Sequence, residues 1–425
     1  MKKFILLILI SIVTVKISDA QEFILDADIR PRFEYRHGYG SLFPDDAKAG
    51  AFVTQRSRLN MGFKDDKLSL YFSMQEVSTW GDEQTLTATD NNNSFSLFQA
   101  WIRYVFTENW AIKLGRQTIS YDDQRILGEV DWTMQGRFHD AAIIQYSKDK
   151  LKLDLAFAYN QEKQSSLGTD YTITGGFSYK TMQMVHLTQA WDKASFSFLF
   201  MNNGFQKYTN DPIPLTDGLY YRQTTGAYVT FPLAVLTITG SAYLQTGMAT
   251  AATDLSAFQY LVEAKYKTGI VTLIAGFESL SGTDKVGEDK NKSFFPLYGT
   301  NHKFNGLMDY FYVGNYANNV GLNDAYGKIS IATGKKSTLG LNAHFFFTNA
   351  EMANELGQNL GTELDLVYGK SIGKYVKLGV GYSQMFATES MSAVKGGTTS
   401  ENTNNWGWVQ LMVNPRLLSY RFKEE

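Results

Sequence analysis

The chain reads as all-β: a single transmembrane antiparallel β-barrel of about 18 strands, with short turns at one end and long loops at the other. Three observations predict it. First, alternation at period two pervades the chain, as in Phe23 to Arg36, where Phe23, Leu25, Ala27, Ile29, Pro31, Phe33 and Tyr35 share one face. Ile24, Asp26, Asp28, Arg30, Arg32, Glu34 and Arg36 share the other, because successive strand side chains point to opposite sides of a sheet. Second, short turns and long polar loops alternate along the chain. Third, no apolar run beyond the N-terminus reaches the ~18 residues of a membrane helix, yet aromatics make up 14% of the chain. With 25 Tyr, 29 Phe and 36 Gly against 7 Pro, the composition suits strands girdled by aromatics at two interfaces.

The N-terminus carries the marks of a secretory signal: Lys2 and Lys3, an apolar stretch from Phe4 to Val15, and small Ser18 and Ala20 before a cleavage near Ala20. Residues 1–20 are therefore expected to be removed and 21–425 to form the barrel. The mature chain keeps 37 basic and 41 acidic groups. It has no cysteine, so an exported protein of this kind must draw stability from a large fold rather than from disulfides.

After the opening strand, a Gly-rich loop (37–53) leads to a strand from Gln55 to Lys64, which turns at Lys64-Asp65-Asp66-Lys67 into Leu68 to Gln75. The next strand, Phe95 to Phe106, sets Phe98, Ala100, Ile102 and Tyr104 against Gln99, Trp101 and Arg103, and Thr107-Glu108-Asn109 turns it into Trp110 to Gln117. Further short turns fall at Lys148-Asp149-Lys150, Trp191-Asp192-Lys193, Pro232-Leu233, Lys267-Thr268-Gly269, Gly334-Lys335-Lys336 and Ser371-Ile372-Gly373. Long connections are expected at 118–138, 160–180, 202–217, 247–254, 282–320, 348–357 and 388–403. This gives nine hairpins, with the last strand at Asn404 to Val413. A cylinder so wide leaves an aqueous channel unless loops plug it.

Arginine is distributed unevenly: nine of twelve precede residue 140. Arg30, Arg32, Arg56, Arg58 and Arg103 have the lumen parity of their strands, and these strands are near neighbours, so a basic wall is expected. A guanidinium is always charged and grips carboxylates through a planar fork, so such a wall would draw anionic solutes. The competing reading pairs these arginines with Asp26, Asp28, Glu34 and the later Glu263, Glu278, Glu363 and Asp365. Catalytic patterns are scarce. His37, His139, His186, His302 and His344 are scattered without metal-ligand spacing, and no cofactor is expected. Asp45-Asp46, Asp122-Asp123 and Asp90 with Asn91 to Asn93 could at most hold loop calcium.

In their order and spacing, several motifs resemble the alginate-export family of outer-membrane barrels in the form common in Bacteroidetes. They are Arg56-Ser57-Arg58-Leu59, Trp80-Gly81-Asp82, Gln99-Ala100-Trp101-Ile102-Arg103, Leu114-Gly115-Arg116-Gln117, Trp132, and Arg137-Phe138-His139-Asp140. Ser281-Gly282, the block Leu297-Tyr298-Gly299-Thr300-Asn301-His302, Gly306 and Asp309 continue the series. The resemblance spans nearly the whole mature chain. It implies an eighteen-stranded barrel passing the polyanion alginate, with a pathway role for Arg56, Arg58, Arg103 and Arg116. Arg116, however, has the parity of Ile112 and Leu114, so either a bulge re-aims it or it caps the external rim. The block SFFPLYGTNHKFNG is too apolar for a free loop, so the 280–320 segment, the only one long enough, is expected to fold inward as a constriction through Tyr298, His302 and Asp309.

The expected function is a Gram-negative outer-membrane channel for anionic solutes such as uronate polysaccharides or oligomers. Its partners are then membrane lipid, lipopolysaccharide, the solute and any periplasmic secretion partner, with no nucleic acid. A general or oligosaccharide-uptake porin, a barrel-embedded hydrolase using His186 or His344, and a loop-closed structural barrel are the rival readings.

Overall fold

The computed structural model describes residues 21–83, 94–169, 171, 173, 178–208, 218–284, 290–312, 320–353, 356–395 and 399–422. Residues 1–20, expected to be a secretory signal, and Asp90 to Asn93 lie outside them. Alternating sequences become strands here because successive residues face opposite sides of the closed wall, apolar outward and polar inward.

In chain order the strands are β1 (Glu22–His37), β2 (Gly50–Lys64), β3 (Leu68–Thr79), β4 (Ser96–Val105), β5 (Trp110–Gln117), β6 (His139–Lys148), β7 (Leu151–Tyr159) and β8 (Thr181–Ala190). There follow β9 (Ser195–Gln206), β10 (Leu219–Leu233), β11 (Leu236–Thr250), β12 (Thr253–Thr268), β13 (Val271–Leu280) and β14 (Leu322–Gly334). The last are β15 (Ser337–Phe347), β16 (Asn359–Ile372), β17 (Val376–Ala387), β18 (Asn404–Val413) and β19 (Arg416–Arg421). Each strand through β18 pairs antiparallel with the next, and β1 closes the ring on β18 and β19. These last two follow one edge of β1, with Ile29 opposite Val413 and Leu25 opposite Leu418. Pro415 lacks an N–H and interrupts the ladder between them, while its carbonyl still accepts from the Ala27 N–H at 3.1 Å. They are one broken stave, and the barrel is a closed one of eighteen.

The two faces separate as the alternation requires. In β1, Ile29, Phe33 and Tyr35 are exposed while Arg30, Arg32 and Glu34 are buried. Around the wall, Phe72, Ile102, Phe157, Phe200, Leu244, Val262 and Phe345 form the outward apolar band. One register departure matters for function. Opposite β3, the pairing skips Phe98 between Gln99 and Leu97, a bulge that turns the ring inward. Phe98, expected on the lipid face, is therefore buried under the Arg58 guanidinium, 3.7 Å from its ring centroid.

Three further expectations need correction. The connection placed at 247–254 is a tight hairpin, because β11 runs to Thr250 and β12 starts at Thr253. The 202–217 connection starts later, since β9 extends to Gln206. And 280–320 is not alone in folding inward. The 118–138 segment does so too, carrying Ile119, Ile126, Leu127 and Met134 into buried positions. Together the two segments pack against lumen-facing Met182, Met184, Met201 and Tyr243, and an apolar core results inside the barrel.

Candidate functional site

Two chain segments lie side by side inside the lumen. The Tyr298 N–H donates to the Ile126 carbonyl at 3.0 Å and the Gly128 N–H to the Tyr298 carbonyl at 2.9 Å, a short parallel bridge between Leu127 and Tyr298. The Thr300 N–H donates to the Gln124 carbonyl at 2.9 Å. Glycine is required at this contact: a Cβ on Gly299 would stand 2.2 Å from the Arg125 carbonyl oxygen. Arg137, of the family-like motif, reaches the Leu297 and Gly299 carbonyls at 3.4 and 3.3 Å.

Wall strands hold this double segment from several sides. Gln245 of β11 exchanges two hydrogen bonds with the Phe295 backbone, at 2.8 and 2.9 Å. Glu278 of β13 accepts both arms of buried Arg125 at 2.7 and 2.8 Å. Glu363 of β16 accepts the Met308 N–H at 2.8 Å, with Gly306 packed so closely that a Cβ there would meet the carboxylate. Tyr298 is fully buried, edge-on to His139 and Tyr179 at 5.4 Å each. Burial raises its phenol well above the ordinary range.

The basic wall is real in position but occupied. Arg30, Arg32, Arg56 and Arg58 all face inward from β1 and β2. Asp131 of the 118–138 loop sits among them, one carboxylate oxygen 2.9 Å from Arg30 and the other 2.9 Å from Arg56. Burial works against the Asp131 charge, yet the Arg30 and Arg56 guanidiniums hold its carboxyl below the usual range. Arg30 also donates to the Asp131 carbonyl at 2.7 Å, Arg32 to the Trp132 carbonyl at 2.9 Å and Arg58 to the Gln135 carbonyl at 3.1 Å. Asp28 pairs with Arg56, and Glu34 with Arg32 and Arg36, as the competing reading expected. The arginine ladder is thus the clamp that holds a loop. Asp131 was missed because it lies in a segment read as a solvated connection.

Trp132 completes the junction. Its ring is sandwiched between Arg32, at 4.1 Å, and His302, stacked at 4.3 Å, and it meets Trp406 and Trp408 edge-on. His302 Nδ1 lies 2.8 Å from Asp309, whose other oxygen accepts the Tyr39 hydroxyl. Tyr298, His302 and Asp309 are therefore all parts of the inward segment. Above the junction a cavity of about 730 Å³ is lined by Arg32, Glu34, Arg36, Tyr39, Trp132 and Asp309, among others.

Two predicted residues stand apart. Arg103 projects from β4 toward the short-turn end and donates through Nε to Gln145 at 2.8 Å. Arg116 is corrected: it does not face the lumen. It keeps the outward parity of Leu114 and pairs with Asp140 through two bonds of 2.9 and 3.0 Å, its guanidinium 4.1 Å from the Phe138 ring.

The histidines do not assemble a nucleophile site. His186 Nε2 is 3.4 Å from Asp122, but Ser197 donates to that aspartate at 2.6 Å rather than to the imidazole. His344 Nδ1 meets Asp324 at 2.9 Å. Both lie on the lumen face, with no hydroxyl bonded to either ring among the described residues. Asp122 and Asp123 do not converge on a common point: Asp123 instead accepts the Arg125 N–H at 3.0 Å.

No family model matches the chain, and no curated protein matches it. Solved structures do. OccAB1 of Acinetobacter baumannii is 13% identical with a TM-score of 0.61, the match covering 93% of this chain and 97% of that one. OccAB4 of the same organism is 11% identical with a TM-score of 0.62, covering 95% and 99%. OpdK of Pseudomonas aeruginosa, solved with vanillate, is 9% identical with a TM-score of 0.59, covering 94% and 99%. At such identities the likeness is one of fold, and that fold is the closed eighteen-strand barrel of outer-membrane porins of the OccK/Opd type.

Proposed function

We propose that this chain is an outer-membrane channel admitting small anionic solutes passively, with uronates and short uronate oligomers as the class. The observation that carries this reading is the sorting of charge across the lumen. Arg30, Arg32, Arg56, Arg58 and Arg103 stand on the β1–β4 wall, interleaved with Asp28 and Glu34, while Glu263, Glu278, Asp324, Glu363 and Asp365 stand on the β12–β16 stretch of the wall. Asp28, Glu34 and Asp131 offset most of the ladder, and Arg125 offsets Glu278, so the field a solute meets is the residual one. Its carboxylates follow the side where Arg103 stands without an ion-pair partner among the described residues. The outward apolar band supports residence in a bilayer.

Size is set by the inward segments. A thick polysaccharide chain would need both to leave the lumen, breaking the Arg125–Glu278 pair and the Asp131 clamp together, so small solutes suit the site better than polymer. The alginate-export resemblance has one observation in its favour. Its motif residues Arg56, Arg58, Trp132, Arg137, Tyr298, Gly299, Thr300, His302, Gly306 and Asp309 gather at this one junction although they are scattered along the chain. The test is the zero-current potential across a salt gradient in planar bilayers: an anion preference that fades with rising salt is expected, and cation preference overturns the reading.

A further inference from the structure

We infer that Arg103 and Lys113 together form a carboxylate-binding site in the short-turn half of the lumen, distinct from the arginine ladder. This assignment rests on the anion-channel reading and deepens it. The two residues are direct register partners across β4 and β5, both on the lumen face and both partly exposed. Arg103 lies close to the short turn that joins β4 to β5, whereas the inward 118–138 segment leaves β5 at its opposite end. A solute moving from the long-loop mouth meets this pair after passing the loops.

What sets the pair apart is its lack of an acid. Every ladder arginine is matched: Arg30 and Arg56 to Asp131 and Asp28, Arg32 and Arg36 to Glu34, and Arg58 to Asp131 at 3.8 Å. Among the described residues, no carboxylate lies within 4.0 Å of Arg103 or Lys113. The Asp154 carboxylate, opposite Gln145 on the neighbouring strand, is engaged by the Tyr121 hydroxyl at 2.7 Å. Gln145 takes only the Nε of Arg103, which leaves the fork of terminal nitrogens with no bond to a described residue.

The neighbours hold both cations in place without neutralising them. The Lys113 ammonium stands 4.2 Å from the Trp101 ring centroid, and Trp101 is stacked on Tyr71 at 5.4 Å. A cation over an aromatic face is steadied by the ring quadrupole while its charge stays available. Gln145 plays the same part for Arg103, fixing the plane of the guanidinium. The remaining edge, with one N–H on each terminal nitrogen, matches the two oxygens of a carboxylate, and the adjacent ammonium supplies a further charge-assisted bond. Two like charges side by side repel one another, and Asp154, beyond ion-pair distance, offsets only part of the Lys113 charge, so an anion between the two cations is favoured.

The test uses D-glucuronate, with glucose as the neutral control, added to the full-length protein in planar bilayers while single-channel current is recorded. Glucuronate is expected to interrupt the current of the wild type, and glucose to leave it unchanged. In R103Q/K113Q the half-blocking concentration is expected to rise about 10- to 100-fold, the loss of one to two charged hydrogen bonds. Heat-modifiable migration on gels checks that the variant barrel is closed, and R103Q and K113Q singly provide intermediate steps if the double variant fails to assemble. Unchanged block in a closed variant, or no block in the wild type, overturns the site assignment while wild-type anion preference leaves the channel reading standing. Cation preference in the wild type overturns that reading itself.

Discussion

Replacing Asp131 by alanine removes the carboxylate that ties the 118–138 loop to Arg30 and Arg56. Both arginines are buried, with side-chain exposures of 7% and 1%, whereas Asp131 is 46% exposed. Stripping a fully buried charge of its partner costs about 3–5 kcal/mol. Here two facts reduce the figure. Water reaches the Asp131 side, and Asp28 goes on compensating Arg56 and, at 3.7 Å, Arg30. We therefore expect about 1–3 kcal/mol, a shift of roughly 5- to 150-fold in the equilibrium between docked and released loop. The loop stays mostly docked, because three backbone carbonyls remain anchored by Arg30, Arg32 and Arg58. Hydrogen exchange of peptides spanning 118–138 reads the effect directly. Amides such as Thr133 and Arg137, which donate to Val130 and Glu129, should exchange faster by that factor, with β5 and β6 unchanged. Exchange that does not change in the loop, or that rises equally around the whole barrel, refutes the clamp.

Two other perturbations probe the same junction. Gly299→Ala drives a Cβ against the backbone oxygen of Arg125, which cannot swing aside, so the two inward segments should separate. Single-channel conductance should then rise, whereas Gly327→Ala in β14, where nothing lies within 4 Å of a new Cβ, should leave it unchanged. The second concerns pH. Burial pushes the Asp123 carboxyl up to about 6, against the opposing pull of the Arg125 N–H and the Lys303 ammonium, with Glu278 adding to the rise. A folded-state value above the unfolded one means that the docked loop binds more protons, so docking weakens as pH rises from about 4 through 6 and beyond to its plateau. Between pH 5 and 7 the loss is about 1 kcal/mol, visible as faster loop exchange at pH 7 after correction for intrinsic rates, and D123N should abolish it.

The barrel was legible because lipid and lumen impose opposite demands on successive residues, and that demand writes period two into every stave. Ile29 and Phe33 against Arg30 and Arg32 is enough to orient β1. The inward fold of 280–320 was legible for a related reason: a segment holding Phe294, Leu297, Tyr298 and Phe311 cannot stay in water. The same signal was present in 118–138, in Ile119, Ile126, Leu127, Trp132 and Met134, but its flanking Asp122, Asp123 and Glu129 gave it the look of a solvated loop. Asp131 could not be assigned to the ladder because a loop-to-wall pair a hundred residues apart leaves no local pattern. Phe98 was misplaced for a different reason. A bulge adds one residue to the count, and period-two reading carries no sign of where that happens. Conversely, the outward position of Arg116 follows from parity alone, and the structure supplies its partner, Asp140.

Lumenal methionines show a further limit. Met182, Met184 and Met201 occupy positions where a water-filled pore would favour polar side chains, and they are buried because the loops lie against them. Apolar residues at lumen parity in β8 and β9 therefore mark the part of the wall that a loop covers. Wall regions with polar or charged lumen residues, such as Arg103 and Gln145, mark the part that the loops leave uncovered.

The most direct measurement of the central claim is the zero-current potential of the purified protein in planar bilayers under a tenfold potassium chloride gradient, repeated at rising mean ionic strength. Sorted lumen charges with the basic wall on the solute path predict a potential of the sign set by chloride, shrinking as salt screens the walls over a Debye length of about 10 Å at 0.1 M and 3 Å at 1 M. A potential of the sign set by potassium, or one that does not respond to ionic strength, contradicts the account.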